Sequence, residues 1–281
     1  MTIGIVTISF NQARFLEEAV DSVSVLTPHR LEYVIVDPGS TDGSREIVER
    51  RRTQFSAAIM EPDQGPADGL NKGFAALKDA DVCGYINADD RFAPGALDYV
   101  AGFFSSHPET DILLGSIRII DECGRPSLRG RVVDKADLTR FANRTSYFWQ
   151  QATFFRRSIL ERTRGFNPEN RISWDSELIV DMLLAGARVA HTPRVLGDFR
   201  IYGASITGSG RLVEEATRQH RRVCAKIASA GRLNRSPLFS VWGPKLHQLA
   251  YRFSLRRQFG NLFIGVAARA AGTNSRSVKT L

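Results

Sequence analysis

Tyr33-Val-Ile-Val-Asp37-Pro-Gly-Ser-Thr-Asp42-Gly-Ser44 is an apolar run that passes without interruption into a turn cluster with a helix start at its end. A short continuous apolar run bounded by Pro, Gly and Asp reads as a buried strand, and Asp with Ser at the far end reads as a helix N-terminus. The same phrase recurs on both sides. Ile3–Ile8 is a buried strand ahead of Ser9-Phe10-Asn11, with Asn11 placed to cap a helix whose apolar face is Phe15, Leu16, Ala19, Val20 and Val23. Ala57–Met60 leads through Asp63-Gln-Gly65-Pro to another helix, and Val82–Ile86 ends on Asn87-Ala-Asp89-Asp90. Strands alternating with helices at this spacing predict an α/β fold, a parallel sheet flanked by helices.

Further along, Ile112–Asp121 and Ala152–Phe155 read as strands, Trp174-Asp175-Ser-Glu177 opens a helix, and Arg188–His191 and Val195–Tyr202 read as two more strands. An amphipathic helix spans residues 211–232, with Val213, Ala216, His220, Val223, Cys224 and Ile227 on one side and Arg218, Arg221, Arg222 and Lys226 largely on the other. A second basic segment carries Trp242, Leu246, Tyr251 and Arg252, Arg256 and Arg257. We divide the chain at 1–210, with halves at 1–110 and 111–210, and at 211–281.

The 281 residues are 43% hydrophobic and 24% charged, which excludes collagen-like, coiled-coil and disordered classes. The formal net charge is +8, yet residues 211–281 carry +12 and residues 1–210 carry −4. The basic excess sits in the last quarter, as expected of a segment that meets an anionic surface, either a membrane leaflet or nucleic acid. Cys83, Cys123 and Cys224 are odd in number, with no CxxC, so neither a disulfide framework nor a zinc site is expected. The opening residues lack the pattern of a secretory leader, and the longest apolar stretch is shorter than the ~20 residues of a membrane span. A cytoplasmic location is the expectation.

Acidic residues gather at strand ends. In open α/β sheets ligands bind outside the carboxyl ends of the strands, so Asp37, Asp63, Asp89 and Asp90 are expected to share one crevice. Adjacent carboxylates there suit a hard divalent cation that bridges nucleotide phosphates. Asp89-Asp90 ahead of Pro94 equally suits a helix N-cap, Asp37 to Gly43 an ordinary turn, and Asp175 the dipole of the helix it opens.

Taken together, Thr7-Ile-Ser-Phe-Asn11, Val34–Gly43, Asp63–Gly73, Asn87–Asp90, Gln151–Arg157, Gly165-Phe166 and Trp174–Leu178 resemble the family 2 glycosyltransferases of GT-A fold, in the type that builds bacterial surface polysaccharides. The resemblance runs from Ile3 to about Thr207. It implies a GT-A mixed sheet flanked by helices; the basic helical C-terminal extension falls mostly outside it. It implies a metal-dependent, inverting transfer of sugar from a nucleotide-sugar, a UDP-sugar foremost, to a hydroxyl of a glycan acceptor, lipid-linked in this type.

Residue by residue, the resemblance places Ser9, Phe10, Asn11, Asp37, Gly39, Asp68, Asn71, Asp89 and Arg200 against the donor, with Phe10 lining the base pocket and Arg200 on phosphate. Asp89 and Asp90 hold Mn²⁺ or Mg²⁺. Asp175 is the base and Glu177 a supporting carboxylate or rival base. Trp149, Gln151 and Trp174 face the acceptor. Tyr202 stands where some relatives have a His that helps bind metal or phosphate, and Gly203–Gly210 reads as a loop that closes over the donor. The expected partners are the nucleotide-sugar, the glycan acceptor and an anionic membrane surface met peripherally. Nucleic acid is not expected, because the strand ends are acidic. A nucleotide-sugar-binding scaffold without activity is the alternative.

Overall fold

The computed structural model describes residues 1–23, 29–130, 137–142, 148–203, 205 and 213–232. In chain order these form β1 (Thr2–Ile8), α1 (Ala13–Ser22), β2 (Arg30–Val36), α2 (Ser44–Arg50), β3 (Ala57–Ile59), α3 (Pro66–Ala76), β4 (Val82–Asn87), β5 (Arg91–Phe92) and α4 (Ala96–Ser106). There follow β6 (Ile112–Ile120), β7 (Pro126–Gly130), α5 (Leu138–Ala142), β8 (Thr153–Arg156), α6 (Arg157–Leu160), α7 (Trp174–Leu184), β9 (Val189–Arg200) and α8 (Val213–Ser229). The second basic segment, most of Gly203–Gly210, and residues 211–212 at the start of the expected helix lie outside the described residues.

All nine strands join one sheet in the order β3-β2-β1-β4-β8-β6-β9-β5, with β7 paired to β6. The first four strands are parallel, as the alternating pattern predicts. β8 then pairs antiparallel with both β4 and β6, so the sheet is mixed, as the resemblance implies. Chain order reverses direction across the sheet between β1 and β4, a topological switch point of the kind that opens a crevice above the strand ends.

Period-two alternation puts successive side chains on opposite faces. Ile3, Ile5, Tyr33 and Ile35 face one core with Leu16, Val48 and Val100 of α1, α2 and α4. Val6, Val34 and Val36 face the other with Leu70, Phe74 and Leu178 of α3 and α7. α3 lies close to the sheet because Gly73 has no side chain, and a Cβ there would meet Val6 Cγ1 at 2.4 Å. A third, small cluster joins Phe141, Val180, Val223 and Ile227, which docks α8 onto α5 and α7.

Two local expectations are corrected. Arg188–His191 and Val195–Tyr202 are one strand, β9, because its pairing with β6 absorbs the break as register shifts between Leu114 and Ile117. Asn11 does not cap α1. It sits at φ 54°, Gln12 takes the N-cap position, and the helix start is served from another loop, by Asp42 Oδ2 accepting from Ala13 N at 2.8 Å.

Candidate active site

Strand register assembles the site. Ile8 pairs with both Val36 and Asn87, and Val36 pairs with Ile59, so four parallel strands end in one row. Ser9–Asn11, Asp37–Gly43, Met60–Gly65 and Ala88–Asp90 therefore leave the sheet at the same edge.

The first two of these links are tied together. Ser9 N donates to Val36 O at 2.9 Å, Asn11 N to Ser40 Oγ at 2.8 Å, Thr41 N to Asn11 Oδ1 at 2.9 Å and Gln12 N to Ser44 Oγ at 3.1 Å. Asp37 is wholly buried. Its Oδ1 accepts from the N–H groups of Gly39 at 3.1 Å and Ser40 at 2.8 Å, and its Oδ2 accepts from Ser40 Oγ at 2.7 Å. Gly39 adopts φ 137° with open space where a Cβ would project, which suits a close approach by a ligand. Beside it Phe10 is 60% exposed, the one exposed large apolar side chain among the described residues. Ser9 Oγ is buried with no partner among them.

In the third link Asp63 accepts from Gly65 N at 2.8 Å. Burial raises its carboxyl pKa above the usual value, and the charges of Asp68 and Asp37 add to the effect. Asp68 accepts from Gln64 N at 3.0 Å and lies 3.3 Å from Lys72 Nζ.

Asp89 and Asp90 follow β4. Asp90 is 1% exposed; Oδ1 accepts from Arg200 N at 2.8 Å and Oδ2 from Gln151 Nε2 at 2.7 Å. Asp89 Oδ2 accepts from Tyr202 Oη at 3.2 Å, and Tyr202 in turn accepts from Gln12 Nε2 at 3.2 Å. Burial raises the carboxyl pKa of both, Asp90 well above the usual range with the charge of Asp89 added. Burial also pushes the Tyr202 phenol up to about 12, with Asp89 contributing.

This pair fits a divalent cation. Neither carboxylate has an ion-pair partner among the described residues, the donors on Asp90 are neutral amides, and a carboxylate offers about four acceptor positions, so room for a metal bond remains. Three or more ligating side chains do not converge anywhere among the described residues. That suits Mg²⁺ or Mn²⁺ held by one or two carboxylates and completed by phosphate oxygens and water.

Asp175 opens α7. Burial pushes its carboxyl up to about 6, although Ser176 donates to it. The hydroxyl of Tyr85, on β4, is buried beside the Trp174 indole and feels the charges of both Asp175 and Asp90. Two acidic groups that sequence separates by 85 positions thus act electrostatically on one tyrosine.

Residues 4–164, more than half of the chain, match the profile described as Glycosyl transferase family 2. The chain belongs to glycosyl transferase family 2. An uncharacterised glycosyltransferase of Nostoc is 28% identical over 218 residues, covering 73% of this chain and 66% of its own length. The minor teichoic acid biosynthesis protein GgaA of Bacillus subtilis is 24% identical over 185 residues, covering 62% of this chain and 41% of its own length. Among solved structures, the mannosyltransferase PcManGT of Pyrobaculum calidifontis, in complex with GDP-Man and Mn²⁺, has a TM-score of 0.60 at 20% identity, covering 98% of this chain and 76% of that one. S. aureus TarS 1–349 in complex with UDP-GlcNAc has a TM-score of 0.59 at 18% identity, covering 74% and 61%. The fold is thereby that of GT-A enzymes.

Several expected site residues of this family 2 chain do other work. Arg200 does not present itself to a phosphate: it is 1% exposed, with Nε on Asp89 O at 2.7 Å, Nη1 on the carbonyls of Asp121 and Glu122, and Nη2 on Glu18 Oε2 at 2.8 Å. Its guanidinium also lies over the Phe15 ring, 4.6 Å from the centroid. Asn71 is turned to the protein as well, clamping Phe166 through Nδ2 to O at 2.7 Å and Oδ1 from N at 2.9 Å. Gln151 is 4% exposed and holds Asp90 in place of an acceptor hydroxyl. Trp174 is 7% exposed and packs in the α3–α7 core. Trp149 is half-buried against the opposite core, its carbonyl accepting from Thr153 Oγ. Glu177 is taken up by four donors described below. Sequence reasoning passed over Glu18 and Tyr85, and noted Gln150 only as standing where many relatives have a His. Gln150 donates to Tyr85 O at 2.5 Å and accepts from Asn87 at 3.4 Å. The contacts of Glu18, Gln150 and Tyr85 with Arg200, Asn87 and Trp174, in that order, join positions at least 60 apart, which no local motif marks.

Proposed function

We propose that the chain is a metal-dependent, inverting glycosyltransferase that moves a sugar from a nucleotide-sugar, a UDP-sugar foremost, to a hydroxyl of a glycan acceptor in surface polysaccharide biosynthesis. The observation that carries this reading is the Asp89–Asp90 carboxylate pair at the end of β4, beside the switch point of the sheet, with Asp90 held by the neutral donors Arg200 N and Gln151 Nε2.

In this reading Phe10 stacks on the nucleotide base, while Asp37 keeps a free acceptor position for it and holds the turn. Asp89 meets the ribose and the metal, and Asp90 is the main metal ligand. Bound Mn²⁺ or Mg²⁺ supplies charge neutralisation for the diphosphate leaving group. Asp175 takes the proton of the acceptor hydroxyl. The hydroxyl oxygen bonds to the anomeric carbon as the bond from that carbon to the diphosphate oxygen breaks, with its electron pair leaving on the diphosphate. Attack from the face opposite the leaving group inverts the anomeric carbon. A carboxyl with a pKa of about 6 is matched to this work near neutrality, ionised yet more basic than a free aspartate.

The donor class is supported by S. aureus TarS, solved with UDP-GlcNAc, and by PcManGT, solved with GDP-Man and Mn²⁺. The product class is supported by the relatives GgaA and the succinoglycan biosynthesis protein ExoU of Rhizobium meliloti. No helix among the described residues is long and apolar enough to cross a membrane. We assign the chain to the cytoplasm, reaching a lipid-linked acceptor peripherally through the basic residues of 211–281.

The test is a panel of nucleotide-sugars incubated with the protein, with and without Mn²⁺ or Mg²⁺, beside Asp90→Ala and Asp175→Asn. Metal-dependent release of nucleoside diphosphate from one donor, lost in both variants, is expected. A thermal shift from a nucleotide-sugar with no release under any condition would turn the assignment toward a binding scaffold, and no release together with no shift would overturn the nucleotide-sugar reading.

A further inference from the structure

Glu177 stands two positions past Asp175 on α7 and is 4% exposed. Its Oε1 accepts from Asn167 Nδ2 at 3.1 Å and lies 3.7 Å from Lys226 Nζ. Its Oε2 accepts from Asn170 Nδ2 at 2.8 Å and is ion-paired with Arg222. Arg222 and Lys226 belong to α8, and Lys226 also pairs with Asp181, one turn further along α7. Both oxygens are thus committed, which leaves Glu177 poorly placed to take a proton from a substrate.

Asn170 extends the network to the start of α7. It is wholly buried, and its Oδ1 accepts from the N–H groups of Ser173 at 3.0 Å and Ile172 at 3.3 Å. Ser173 is the N-cap residue of α7, and its carbonyl accepts from Glu177 N at 3.1 Å. One buried amide therefore links the Glu177 carboxylate to the residues that decide where the helix begins, immediately before Trp174 and Asp175. On the apolar side, Val223 and Ile227 of α8 pack on Val180 of α7 and on Phe141.

We infer that α8 is a brace for the helix that carries the base, and that Glu177 is the positioning residue through which it acts. This rests on the reading of Asp175 as the base. A buried carboxylate held by two cations and two amides has one favourable place to sit, and loss of a partner leaves uncompensated charge. The segment 167–173 is fixed through the same contacts, and with it the direction in which Asp175 points. A side chain set loose by about 1 Å costs on the order of 10²-fold in rate when it must meet a reacting atom. The brace also reassigns part of the basic extension: Arg222 and Lys226 turn inward to acids of α7, so residues 213–229 work as part of the catalytic unit, and any contact with an anionic surface falls to other basic residues.

The full-length protein carries the test, in the forms Glu177→Gln, Arg222→Gln and the double variant, with backbone hydrogen exchange of 167–173 measured beside metal-dependent donor turnover. Expected are faster exchange in each variant, a fall in kcat of about 10–100-fold with donor KM within twofold, and a double variant no worse than the weaker single one, because one network is broken in each. The acid limb of kcat should move below that of the unaltered protein as water reaches Asp175. Unchanged exchange would overturn the brace, and so would faster exchange with full kcat and an unmoved acid limb. If Glu177→Gln does not fold, Arg222→Gln alone decides, since that side chain is 38% exposed and its loss leaves the two asparagines on Glu177. An unaltered protein that turns over no donor would fail the reading of Asp175, and the exchange arm would then judge the brace by itself.

Discussion

Gln151 Nε2 donates to Asp90 Oδ2 at 2.7 Å, across 61 positions of sequence. The amide is delivered to that place by backbone packing: a Cβ on Gly197 of β9 would lie 2.3 Å from Gln151 O, so β9 runs directly against this residue. An amide N–H is a neutral donor, so it orients the carboxylate without cancelling the charge that a cation requires. Replacement of an outer partner of a metal ligand costs about 10–100-fold in metal affinity. Gln151→Ala is expected to weaken Mn²⁺ binding in the presence of UDP by that factor, read by titration calorimetry, with nucleotide binding in the absence of metal unchanged.

The raised carboxyl of Asp175 has two consequences of opposite value. In the proposed role of base it must be ionised, so kcat should fall as pH drops through about 6. For stability, the folded-state pKa lies above the unfolded value, so the ionised carboxyl is a penalty, present in full above about pH 6 and gone below the unfolded value near 4. At ~1.4 kcal/mol per pKa unit the penalty reaches up to about 3 kcal/mol. Asp175→Asn should therefore abolish turnover and raise Tm by a few degrees at pH 7.5, with the gain vanishing toward pH 4 in a calorimetric series.

Phe10 buries little of itself in the protein, so its removal should leave the fold intact. Stacking of a base on an aromatic ring contributes ~1–3 kcal/mol. Phe10→Ala is expected to weaken UDP binding by about 10-fold, with urea unfolding within error of the unaltered protein. A Tm loss equal to that of a core variant would contradict this role.

Arg200 behaves in the reverse way. Its guanidinium serves the carbonyls of Asp89, Asp121 and Glu122 and the carboxylate of Glu18 from a site with almost no solvent. Arg200→Met would strand those acceptors and leave Glu18 on Arg91 alone. A loss of about 1–3 kcal/mol in urea unfolding is expected, as for buried carbonyls deprived of their donor.

The sheet was legible because its parallel half is written in short apolar runs that end on Gly, Asp and Asn, and the strand ends named the crevice. What was not legible lies in pairings across the chain. Asn11 has the chemistry of a cap, and nothing local reveals that positive φ would turn it to Thr41 instead. Thr192-Pro193-Arg194 looks like a strand break, and only the pairing of β9 with β6 shows that the sheet carries it as a register shift. Arg222 and Lys226 repeat at helical spacing as a solvated face would, and their partners Glu177 and Asp181 become visible only once α8 lies on α7. Asp89, Asp90 and Asp175 are proposed from the residues next to them in sequence; Gln151, Arg200 and Glu18 show their partners only across 61 to 182 positions.

The cap of α1 comes from Asp42, in the connection that follows β2. A ten-residue helix is marginal in isolation, and its capping contact adds about 1 kcal/mol. That contribution exists only after β2 has docked beside β1 and its connection has closed on residues 9–13. The first helix of the chain thus takes the contact at its N-terminus from a connection that comes after it in sequence, and a chain cut before residue 42 would lack that contact whatever else it formed.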